Sequence, residues 1–114
     1  DITLGVHFKI EKGWHIYSST MDGNVGPIPT SFSFVPSKQY KLHGRVGEKL
    51  AKSKYEGMWG IDVKYFSKRA EFKQRIKLLS GEPFNVRATV NYMLCDEAQC
   101  LPPRDLSLLF KVEP

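Results

Sequence analysis

Residues 84–94 read FNVRATVNYML, with Phe84, Val86, Ala88, Val90, Tyr92 and Leu94 at every second position. Successive side chains of a strand point to opposite faces, so this spacing predicts a strand with one apolar face. Immediately upstream, Glu71–Leu79 sets Phe72, Ile76 and Leu78 on one side and Lys73, Arg75 and Lys77 on the other. Ser80–Pro83 supplies the turn between the two. Downstream, Leu106, Leu108, Phe110 and Val112 alternate again and predict the last strand.

The N-terminal half follows the same rule with shorter pieces. Ile2, Leu4, Val6, Phe8 and Ile10 give a first strand, Glu11–Gly13 a turn, and Trp14–Tyr17 an aromatic second strand. Ser18–Pro29 holds Gly23, Asn24, Gly26, Pro27 and Pro29, a density of turn formers that predicts a long irregular connection. Thr30–Val35 and Tyr40–Gly44 read as two further strands. Gly47–Lys54 fits a helical turn or a loop, and Met58–Phe66 contains a short strand around Ile61–Val63. Some seven strands with no amphipathic helix predict an all-β fold, an immunoglobulin-like antiparallel β-sandwich, with a small barrel as the alternative.

At 114 residues the chain reads as a single domain, residues 1–114, cut from a longer precursor. It carries 17 Lys and Arg against 12 Asp and Glu, a formal charge of +5. The basic residues alternate with apolar ones, the pattern of a solvated strand face, and lack the basic-plus-aromatic clustering of a nucleic-acid binder. No apolar run is long enough to span a bilayer, and no signal peptide is present. Neither nucleic acid nor membrane contact by the domain itself is expected, and the state expected is a monomer. His7 and His43 sit at polar positions and read as exposed; Trp14 and Trp59 read as packing residues. No nucleophile elbow supports hydrolytic chemistry.

The only cysteines, Cys95 and Cys100, lie in YMLCDEAQCLPP, residues 92–103. With four residues between them they cannot form a bridge across a sandwich core. A bond between them closes so small a loop that the chain-entropy gain stays under roughly 3 kcal/mol. Three readings remain: a local staple, a redox-active pair, or a soft-metal site using the cysteines with His15, Met93 or Met58. Asp96 and Glu97 would raise a neighbouring thiol's pKa by charge repulsion, which suits a pair activated by its partner.

Three segments together, KGWHIY (12–17), YFSKRAEFKQRIKL (65–78) and the cysteine loop closed by Pro102–Pro103, resemble the N-terminal domain family of the thiol:disulfide interchange protein DsbD. This disulfide bond corrector family has one residue more between the cysteines of its best-known member. The resemblance implies an immunoglobulin-like periplasmic domain, attached to an inner-membrane protein, with no cofactor and one redox-active pair. It implies a protein-disulfide reductase that takes electrons from a thioredoxin-like domain of the same protein and passes them to periplasmic thioredoxin-fold clients. On that reading Cys100 attacks and Cys95 resolves. An aromatic cap over the disulfide falls at Asp62–Lys68, with Tyr65 capping, Phe66 beside it and Asp62 close by; His15 and Tyr17 lie near the cysteines. The alternatives are a non-catalytic binding module with a structural disulfide and a copper-handling domain.

Overall fold

The computed structural model describes all 114 residues. Nine strands run β1 (Ile2–Lys9), β2 (His15–Tyr17), β3 (Ser31–Phe34), β4 (Tyr40–Glu48), β5 (Lys52–Glu56), β6 (Ile61–Ser67), β7 (Arg69–Leu78), β8 (Phe84–Tyr92) and β9 (Arg104–Val112). They form three antiparallel three-stranded sheets, ordered β1-β7-β4, β3-β8-β9 and β2-β6-β5. The first two make the immunoglobulin-like sandwich that the alternation predicts. The third is a smaller sheet that carries the cysteine hairpin.

The apolar faces meet as the period of two requires. Leu4, Tyr40 and Ile76 from one sheet pack against Phe84, Val86 and Val112 from the other. Each fully buried side chain of this size stabilises by about 1.5–3 kcal/mol. A second cluster, Ile16, Phe66, Ala70 and Phe72, with Phe8, Phe32 and Tyr92 against it, joins the sandwich to the small sheet. The physical link is one continuous run of chain: β6 passes into β7 through Lys68, whose φ of 66° turns the strand from one sheet into the other. The Lys68 carbonyl accepts the Ile10 N–H at 2.9 Å, which holds this corner closed.

Several expectations need correction. β4 runs on to Glu48 because a bulge between His43 and Gly47, with Gly44 at φ 78°, shifts its register without ending the strand. Gly44's carbonyl, outside the ladder there, accepts from the Gln74 side chain at 3.1 Å, and that explains a glutamine buried on the apolar face of β7. Gly47–Lys54, read as a helical turn or loop, takes in the end of β4 and the start of β5, and β6 extends from Ile61 through Ser67. The Ser18–Pro29 connection is irregular as expected but firmly docked. Glu48 accepts from Ser18 Oγ at 2.6 Å, from Ser19 N–H at 2.9 Å and from Ser19 Oγ at 2.6 Å. Gly26, at φ 88°, passes so close to β6 that a Cβ there would sit 2.6 Å from Ile61 Cδ1.

Candidate functional site

β8 leaves the sandwich after Tyr92, and the chain folds back on itself as a tight hairpin. Leu101 N–H donates to the Leu94 carbonyl and Asp96 N–H to the Gln99 carbonyl, both at 2.8 Å. Asp96 builds the turn with its side chain, accepting from the Ala98 and Gln99 N–H groups at 2.8 and 2.7 Å. Those backbone donors hold its carboxyl below the usual carboxylate pKa. Across this hairpin Cys95 and Cys100 are directly opposed, Cα atoms 4.0 Å apart, and joined by a disulfide.

The hairpin then adds itself to the edge of the small sheet. His15 N–H donates to the Cys95 carbonyl at 2.9 Å and Cys95 N–H donates to the His15 carbonyl at 3.1 Å. With His15 also opposite Ser67 on β6, one transverse row reads Cys100, Cys95, His15, Ser67. Residues opposed in this way share a face, their Cβ atoms about 5 Å apart. The imidazole therefore flanks the Cys95 side chain.

Two residues along β2, Tyr17 lies on the same face, and its hydroxyl is 2.9 Å from His15 Nε2. Burial lowers the His15 pKa, assisted by the nearby Lys54 ammonium and opposed by Glu56 and Asp96. Burial raises that of Tyr17 to about 12, opposed by the Trp59 indole N–H and reinforced by Glu56. At neutral pH the pair is thus an uncharged imidazole and an intact phenol. The hydroxyl and Nε2 are bonded whichever tautomer the ring adopts. The indole N–H is buried and closes no full hydrogen bond of its own.

The packing around the disulfide is apolar. Tyr17, Val63, Met93 and Cys95 form one buried cluster, with Met21, Trp59, Ile61, Tyr65 and Cys100 partly exposed against it. The two cysteines are not equally buried: Cys95 is 1% exposed, whereas Cys100 is only partly buried. Tyr65 meets the His15 ring edge-on at 5.4 Å and carries the Lys54 ammonium 4.7 Å above its own ring. Lys54 in turn pairs with Glu56 at 3.0 Å.

His15, Tyr17, Tyr65 and the cysteines thus come together, but Phe66 and Asp62 do not. Phe66 is one residue from Tyr65 on a strand and so faces the other way, into the core with Ile16, Ala70 and Phe72. Asp62 is exposed on that same opposite face of β6, across from Tyr55. The residues that sequence reading missed are Trp59, Met21 and Val63. Trp59 reads as a packing residue and is one; what it packs against is the cysteine cluster. No three His, Cys, Asp or Glu side chains converge here as a metal-binding group would.

A family model described as the N-terminal region of the thiol:disulfide interchange protein DsbD matches residues 1–111. The chain belongs to this family. Thiol–disulfide exchange is the chemistry of the DsbD N-terminal family, and a disulfide on an exposed hairpin suits it. Among solved structures, the reduced DsbD N-terminal domain of Neisseria meningitidis superposes with a TM-score of 0.68 at 18% identity, over 96% of this chain and 77% of that one. A second structure, of the complex between the DsbD N-terminal and PilB N-terminal domains of Neisseria meningitidis, gives 0.68 at 17% identity, over 98% and 80%. No curated protein sequence matches the chain.

Proposed function

We propose that this domain is a periplasmic protein-disulfide reductase module, with Cys95 and Cys100 as its exchanging pair. It takes two electrons from a thioredoxin-like domain and passes them to a client of thioredoxin fold. The Neisseria complex of a DsbD N-terminal domain with a PilB domain supports a protein partner of this kind. Attachment to an inner-membrane protein follows from the same family reading.

The observation that carries the assignment of roles is the unequal exposure of the two cysteines. Exchange requires in-line approach of a thiolate to one sulfur, with the other leaving. Cys100 is the accessible member, while Cys95 is buried and fixed by both backbone hydrogen bonds to His15. An incoming thiolate therefore bonds to Cys100 Sγ, the Cys95–Cys100 bond breaks, and Cys95 leaves as a thiolate that takes up a proton. The partner's second thiolate then attacks its own sulfur in the mixed disulfide and releases Cys100 reduced. In the second half-reaction the Cys100 thiolate bonds to one sulfur of the client disulfide and expels the other as a thiolate. Cys95, deprotonated again, attacks Cys100, restores the internal disulfide and frees the client dithiol. Tyr65, which packs against the cysteine cluster, acts as a side wall that limits this approach to docked partners.

The trapping experiment is direct. Cys95→Ser leaves Cys100 as the sole thiol and is expected to accumulate a mixed disulfide with an oxidised thioredoxin-fold protein; Cys100→Ser is expected to trap little. The reverse result would sink the assignment of roles. A reduction potential below about −300 mV, the range of structural disulfides, would sink the reductase reading itself.

A further inference from the structure

In sequence the basic residues look dispersed, but the β1-β7-β4 sheet gathers them. The outward positions of β7 are Arg69, Glu71, Lys73, Arg75 and Lys77. The register sets Lys41 of β4 opposite Lys77, and Lys9 of β1 opposite Arg69. Lys49, just past β4, reaches Glu71 at 2.7 Å. This face therefore holds seven Lys and Arg against two carboxylates, Asp1 and Glu71, an excess of five that equals the formal charge of the whole chain. Each carboxylate is shared between two bases: Asp1 between His43 and Arg75, Glu71 between His7 and Lys49.

Two comparisons separate this face from ordinary solvated charge. The outward face of the partner sheet, β3-β8-β9, is built of Ser, Asn, Thr and Leu109 with Arg87, Lys111 and Asp105, and is close to neutral. Charge serving solubility alone has no reason to favour one sheet of the sandwich. Moreover, Lys41 and Lys77 are directly opposed, and like charges in that position destabilise a strand pair. The fold carries that cost where a neutral pair would serve it better.

We propose that the β1-β7-β4 face docks on an anionic phospholipid bilayer. Its cations are spread along neighbouring strands and do not converge on one point, so the complementary object is an extended negative surface. A bilayer is preferred to a soluble polyanion on the strength of the proposed membrane attachment. The acidic hairpin, with Asp96 and Glu97, pairs with the small sheet and contributes no strand to this face.

The test is co-sedimentation of the 114-residue chain with vesicles of phosphatidylglycerol and phosphatidylcholine in equal parts, against vesicles of phosphatidylcholine alone. Binding is expected only to the former and is expected to vanish as salt is added. The triple variant Lys41→Gln/Lys73→Gln/Lys77→Gln should bind about a hundredfold more weakly, near five-fold per charge. Arg87→Gln/Lys111→Gln, on the other sheet, should bind as the parent does. Equal loss in both variants, no preference for the anionic vesicles, or capture by soluble polyglutamate without vesicle binding would each overturn the proposal. Reduction of the disulfide by dithiothreitol, followed in the same samples, is expected to be unchanged, so failure of docking is distinguishable from failure of the exchange reading.

Discussion

His15 and Cys95 exchange both of their backbone hydrogen bonds, at 2.9 and 3.1 Å, and this pairing joins the cysteine hairpin to the edge of β2. Without it the hairpin between β8 and β9 would be held by its apolar contacts alone. With it, a buried imidazole stands beside the buried sulfur, and its protonation is coupled to whether the site holds together.

The coupling predicts an acid sensitivity of definite sign. His15 is held neutral by burial, so its folded pKa lies below the unfolded value of 6.5. The unfolded chain then binds more protons just below that pH, and stability falls as pH drops through 6.5 toward the folded pKa. Above 6.5 the contribution is fully present. Thermal melts of the oxidised protein should lose stability from neutral pH to pH 5, and His15→Gln should flatten that slope. The pairs of His7 with Glu71 and His43 with Asp1 are present in both proteins and cancel in the difference. Parallel slopes in parent and variant would show that His15 does not titrate this way.

Tyr65 and Phe66 give a second prediction, because adjacent residues on β6 serve opposite faces. Tyr65→Ala strips one wall from the cysteine cluster and should speed reduction of the disulfide by dithiothreitol several-fold. Phe66→Ala opens a core cavity between Ile16 and Phe72, costing about 3–5 kcal/mol in urea unfolding. Its effect on the reduction rate of the still-folded protein should be small. If the two variants exchanged these behaviours, the assignment of faces on β6 would be wrong.

That pair also shows where the sequence stops being legible. Long strands covered on one face write their burial as a period of two, and β1, β7, β8 and β9 are readable for that reason. β5 is not, since its KSKYE has no apolar alternation and is held by pairing with β6. β4 was cut short at Gly44 because a bulge breaks the alternation without breaking the strand. The cysteines could be found from their spacing, and His15 and Tyr17 from a family likeness. Phe66 stands next to Tyr65 in sequence but on the other side of β6, because adjacent residues of a strand point to opposite faces. Trp59 reaches the cysteine cluster only through the β5–β6 hairpin turn, where it and Gly60 both donate to the Glu56 carbonyl, a long-range outcome that no local pattern encodes.

Glu48 predicts the behaviour of the Ser18–Pro29 connection. Its carboxylate accepts three hydrogen bonds from Ser18 and Ser19, and hydrogen bonds to a charged group contribute about 1.5–3 kcal/mol each at most. Glu48→Ala should therefore cost at least about 2 kcal/mol in urea unfolding and expose the connection to limited proteolysis between residues 18 and 29. Met21, carried by that connection onto the cysteine cluster, links the same substitution to the site. A variant as protease-resistant as the parent would show that the segment is held instead by buried Pro27 and by Thr30, whose N–H and hydroxyl both donate to the Tyr17 carbonyl.

Tyr17 supplies the alkaline counterpart of His15. Its phenol is buried, and its folded pKa of about 12 lies above the unfolded value of 10.0. The stabilisation from keeping it protonated is complete below pH 10 and is lost as pH rises from 10 toward 12, where only the unfolded chain ionises readily. Tyr17→Phe removes that dependence, and its difference from the parent cancels Tyr40, whose pKa burial also raises. The same substitution deletes the hydroxyl bonded to His15 Nε2, leaving a buried ring nitrogen unsatisfied at a cost of about 1–3 kcal/mol. Urea titrations at pH 7 and pH 11 should therefore show the variant less stable at the lower pH, with the gap narrowing at the higher. A gap that stayed constant would mean the Tyr17 phenol is not shielded from ionisation by the fold.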